Sequence, residues 1–131
     1  MFAELFALLY VAHLAADYPL QTDHQAEHKA EGGLAGWVAN AAHAGTHVAV
    51  AAGLLAVGAV LLDWSLSVPA AAVAVVWIGA THALIDRRWP IRWWMTHTGQ
   101  TVWADHGGAA HVDQTAHIIA LTAAALGLAA V

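Results

Sequence analysis

The chain has 131 residues, enough for one domain, 1–131. Hydrophobic residues make up 60% and charged residues 10%, against ~45–50% and ~25% in soluble domains, so the expected solvent is lipid. A net charge of −5 with only four Lys and Arg leaves no basic stripe for nucleic acid, and the lack of cysteine excludes disulfides and thiolate metal sites.

Four apolar stretches follow in chain order: about Phe2–Asp17, Trp37–Leu62, Val68–Asp86 and His111–Val131. Crossing the hydrocarbon core takes ~20 apolar residues; the last three stretches reach this, and the first is short and carries Glu4. The first has no basic n-region, and Pro19 and Gln21 follow it in place of a cleavage site, so a helix is expected there and not a cleaved signal peptide. The expected fold is all-α, a polytopic bundle of four transmembrane helices. Small residues such as Gly45, Gly53, Gly58 and Gly79 suit close helix packing in lipid.

The connections are residues 18–36, 63–67 and 87–110. The first holds Lys29 and the third holds Arg87, Arg88 and Arg92; both lie at the same end of a four-helix bundle. The positive-inside rule places them in the cytoplasm of a multi-pass cell-membrane protein and both termini outside. Trp89, Trp93, Trp94 and Trp103 surround Arg92, which fits either a short helix in the membrane interface or an aromatic plug over the bundle end.

Histidine is the compositional outlier, with ten residues. His13 and Asp17, His43 and His47, His82 and Asp86, and Asp113 and His117 are each four apart, hence on one face of a helix. With His24 and His28 there are five such pairs, where random placement gives roughly two at this spacing. The pairs end helix one, begin helix two, end helix three and begin helix four, so an up-down bundle brings them to one level. Converging polar pairs are what a metal site in a helical bundle needs.

Imidazole and carboxylate suit a divalent metal such as zinc. His13, Asp17, His43, His47, His82, Asp86, Asp113 and His117 are the candidate ligands. They are too many for one tetrahedral ion, which implies two ions or one ion with a shell of orienting residues. Asp17 and Asp113 are candidate general bases, Gln21 and Gln114 candidate substrate- or water-orienting groups, and His24 a residue that either caps the site or faces water. His97, His106 and His111 are expected to be ordinary wet histidines.

These motifs also carry a resemblance. HLAADYPLQTDHQAEHK (His13–Lys29) resembles the opening signature of a bacterial and phage membrane family catalogued as domain-of-unknown-function family 3307. HAGTHV (His43–Val48), THALIDRR (Thr81–Arg88) and VDQTAHIIAL (Val112–Leu121) resemble its later motifs, so the likeness spans nearly the whole chain. The family often has Trp where this chain has His24. A remoter similarity of pattern links the paired residues to membrane-bound metal-dependent hydrolases with His and Asp on short helices.

The expected function is therefore a membrane-embedded metal-dependent hydrolase acting on a lipid-like or membrane-anchored substrate. The alternatives are a non-enzymatic metal-binding or transport protein, and a structural membrane protein with a buried His/Asp network. The other half of the bundle is apolar, which speaks against a conduction path. A four-helix unit this small is compatible with a homo-oligomer.

Overall fold

The computed structural model describes residues 1–131 and is all-α. Four long helices carry the fold: α1 (Phe2–Asp17), α3 (Gly33–Leu61), α4 (Val68–Ile85) and α7 (Ala109–Ala129). Shorter elements fill two of the connections: α2 (Asp23–His28) the first, and α5 (Trp89–His97), α6 (Thr101–Trp103) and a π-helical segment (Ala104–Gly108) the third.

Helices α1 and α4 each pack on α3 and α7, so the four close into a ring with α1 and α4 on one diagonal. Leu5, Leu9, Leu55, Ile78, Leu121 and Leu128 fill its centre at the end away from the paired residues. The outer faces are equally apolar. Val57, Val60, Val73, Val76, Ile119 and Leu126 are all more than half exposed. Helices hydrophobic on every side are those whose outer face meets lipid.

Three helical stretches are long and apolar enough to cross a membrane: Gly33–Leu61, Val68–Ile85 and Thr101–Ala129. Of the four expected spans, these three meet that length and composition. Helix α1 has 16 residues, short of the ~20 that a perpendicular crossing takes.

The boundaries shift for local reasons. Helix α3 starts at Gly33, ahead of the expected Trp37, because a Cβ at position 36 would run into the Glu31 carbonyl and only glycine lets that turn close. Residues 18–36 are not simply a loop. Thr22 caps α2 with a reciprocal pair: the Gln25 backbone N–H donates to Thr22 Oγ1 at 3.2 Å, and the Thr22 N–H donates to Gln25 Oε1 at 3.0 Å. Pro69 sits in the first turn of α4, where its missing N–H costs nothing. Before α7 the helix is kinked at His106–Gly107, with Gly107 at φ 95° in the left-handed region.

Helix α5 buries Ile91 and Met95 and turns Trp89, Trp93 and Trp94 outward, each more than half exposed. The aromatic plug is thereby corrected, because the indoles face out and not into the bundle.

Candidate metal centre

The end of α1, the start of α3, the end of α4 and the start of α7 meet at one end of the bundle. They bring His13, His43, His47, His82 and His117 together, each at most 2% exposed, with Asp86 at 5%. All eight sequence-predicted candidates lie in this cluster.

Asp17 closes the side facing α3. Its Oδ1 lies 3.1 Å from His47 Nε2 and 3.2 Å from His43 Nε2, and its Oδ2 lies 3.3 Å from His13 Nε2. His13 Nδ1 is 3.1 Å from His82 Nε2. On the α7 side, His117 Nε2 is 3.5 Å from Asp113 Oδ2 and 3.6 Å from Asp86 Oδ1. Two groups have ligand atoms close enough to hold a metal ion: His13, Asp17, His47 and His82, and Asp86, Asp113 and His117. His43 stands between them, with Nε2 also 3.3 Å from Asp86 Oδ2.

Lys29 was legible only as a loop charge, yet it reaches into this centre. Its Nζ lies 3.0 Å from His43 Nε2 and 3.2 Å from Asp86 Oδ1. It is held there by Arg87, whose guanidinium donates to the Lys29 carbonyl at 3.0 Å and the Glu31 carbonyl at 2.5 Å and lies over the Trp37 ring at 4.3 Å. An ammonium only donates, so His43 Nε2 accepts from it and the ring proton sits on Nδ1. That Nδ1 is buried without a partner.

Two features fit the centre to a divalent ion. Asp86 Oδ2 is buried with no hydrogen-bond donor, since the approach of His43 is not aligned as a hydrogen bond, and so retains lone pairs for a ligand. The ligand atoms of His13, Asp17, His47 and His82 all lie within 4.8 Å of one another, as do those of Asp86, Asp113 and His117.

The remaining candidates divide. Gln114 Oε1 lies 3.3 Å from His13 Nε2, so Gln114 touches the centre. Gln21 donates to the Asp17 carbonyl at 3.1 Å, and its Oε1 is buried without a partner. Of the two alternatives for His24, the structure shows the one that faces water: it is exposed on α2, with its ring tilted against that of His28 at 4.6 Å between centroids. His97, His106 and His111 are exposed, as expected, the first two bonded to carbonyls of their own turns at 2.7 Å. Asn40, one turn before His43, went unnoticed in the sequence. It is 1% exposed, with neither side-chain polar atom partnered.

Fold and site together define a helical bundle, apolar inside and out, with a buried His/Asp centre at one end. The chain belongs to the family described as Protein of unknown function (DUF3307), whose model matches residues 5–131. No curated protein and no solved structure gives a match.

Proposed function

We propose that the protein is a metal-dependent hydrolase embedded in the membrane by four helices, with its centre at the cytoplasmic end. The observation that carries this reading is the pair of buried His/Asp groups, His13, Asp17, His47 and His82 on one side and Asp86, Asp113 and His117 on the other, each with ligand atoms close enough together to hold an ion. The Asp86, Asp113 and His117 group offers room for a second ion. Zinc suits a donor set of imidazoles and carboxylates without thiolate. Such an ion supplies a bound water of lowered pKa and a Lewis acid for a carbonyl or phosphoryl oxygen.

The chain's own groups divide the remaining work. Asp17 has both oxygens engaged by imidazoles, so it serves as a ligand more than as a base. With a single ion bound by the His13, Asp17, His47 and His82 group, Asp113 is the most open of the three carboxylates, at 23% side-chain exposure, and is placed to take a proton from water. Gln114 and Gln21 orient water or substrate at the opening. Helix α1, too short to cross upright, spans by local thinning of the bilayer. The outward indoles of α5 lie at the membrane interface, which suits a lipid-like or membrane-anchored substrate.

A second reading has one observation in its favour. The Lys29 ammonium already supplies a positive charge beside Asp86 and His43, as a structural network without metal would require. The test is hydrolysis of ester and phosphoester lipids by zinc-loaded protein in detergent. The hydrolase reading expects turnover that a strong chelator abolishes and that Asp113→Asn lowers by about 10²-fold or more, the usual worth of a general base. No turnover by protein that retains its metal would contradict it.

A further inference from the structure

Three of the chain's four basic residues, Lys29, Arg88 and Arg92, line one cavity of about 500 Å³. The fourth, Arg87, fixes the backbone of Lys29. Asp86 and Asp113 form part of the same wall, and Gln21 lies beside them. A smaller pocket shares Gln21, Lys29, Asp86 and Asp113 with this cavity and adds Asp17 and Gln114, so the cavity adjoins the carboxylates of the His/Asp centre.

Arg88 is the most informative of these residues. It adopts φ 61°, a left-handed conformation that costs a non-glycine residue energy. Its guanidinium has no ion pair, although the chain carries nine acidic residues. Arg92 is paired with Asp105 at 2.7 Å, but both side chains are more than half exposed, so the pair is weak and exchangeable.

Resting on the metal-centre reading above, we propose that this cavity binds a phosphate group, with Arg88, Arg92 and Lys29 as its cradle and the metal centre at its floor. Two guanidiniums and an ammonium present many donors in fork geometry, which matches a tetrahedral oxyanion better than a planar carboxylate. Asp86 and Asp113 alone would repel an anion; a divalent ion in the neighbouring His/Asp centre reverses the local sign. The volume is several times that of a phosphate and accommodates a headgroup. The outward Trp residues of α5, on the helix that carries Arg92, put the cavity at the depth of lipid phosphates.

Titration calorimetry on the full chain in detergent, loaded with zinc, tests this with two probes: inorganic phosphate and short-chain phosphatidic acid. Binding of both, tighter for phosphatidic acid, supports a lipid phosphate. Binding of inorganic phosphate alone supports the same cradle with a soluble phosphate as its source. In the double variant Arg88→Gln with Arg92→Gln, binding should weaken at least about tenfold, as expected for lost charge-assisted hydrogen bonds, while zinc content stays unchanged. Zinc retained with neither probe bound, or affinity unchanged in the double variant, overturns the phosphate cradle and leaves the metal reading standing. Failure to retain zinc overturns both.

Discussion

His13 and His82, 69 residues apart, bring Nδ1 and Nε2 to 3.1 Å and so join α1 to α4 across the diagonal of the bundle. Both rings are 1% exposed. One nitrogen must donate and the other accept, so loss of either ring strands a buried polar atom. Such a loss costs about 1–3 kcal/mol, whereas replacing both partners by apolar groups is nearly neutral. The variant His82→Leu should therefore unfold at lower temperature in detergent than the unmodified protein. The double variant His13→Leu with His82→Leu should recover most of that loss while failing to hold metal. A double variant less stable than the single one would contradict the bridge.

Gly58 has Trp64 folded over it. A Cβ there would stand 2.7 Å from the indole and 3.2 Å from Leu8 Cδ2. Overpacking a core of this kind costs about 1–3 kcal/mol. Gly53 has nothing within 4 Å of the same position, so alanine there adds helix propensity without a clash. Thermal unfolding in detergent should show Gly58→Ala destabilised and Gly53→Ala neutral or stabilised. Equal effects would refute this account of the α1–α3 contact.

The paired His and Asp residues were legible because helix geometry alone puts i and i+4 on one face, and chain order alone puts four such pairs at one end. The first helix's bounds, Phe2–Asp17, were legible for a similar reason: Pro19 follows and apolar residues fill the span. Lys29 was not legible. Its place depends on Arg87 reaching the carbonyls of Lys29 and Glu31 from the turn between α4 and α5, a contact with no local periodicity. The role of His24 stayed open because it shares the i, i+4 pattern; its pair lies on a separate six-residue helix that leaves His24 exposed. Within residues 87–110 the spacing of the Trp residues allowed one short helix, and the structure places α5 there, followed by α6 and the π-helical segment.

Lys29 holds a positive charge against Asp86 and His43, where a divalent ion would add more. Neutralising it removes that repulsion. Lys29→Gln should tighten zinc binding by at least about threefold, a modest share of the Coulomb energy at this distance. Competition with a chromogenic chelator measures it. Unchanged or weaker zinc binding would contradict the placement of the ammonium.

The basic residues lie at one end of the bundle, and four crossings would put both termini at the other. A reporter fused after Val131 should read as external, with a cysteine introduced beside Arg92 protected from an impermeant thiol reagent in intact cells. A cytoplasmic C-terminus would overturn the orientation, and labelling of that cysteine from outside would do the same.

The most direct test of the central claim is the metal content of detergent-purified protein washed with a weak chelator. Imidazole must be neutral to ligate, and ordinary histidine titrates near ~6.5, so content should fall as pH drops below about 6. At neutral pH the account predicts one to two equivalents of divalent metal. It predicts loss of tightly bound metal in His82→Ala with Asp86→Ala, which still inserts because α4 becomes more apolar, and no loss in His97→Ala, whose ring is exposed on α5. Metal content near zero in the unmodified protein, or content untouched by removing His82 and Asp86, would contradict it.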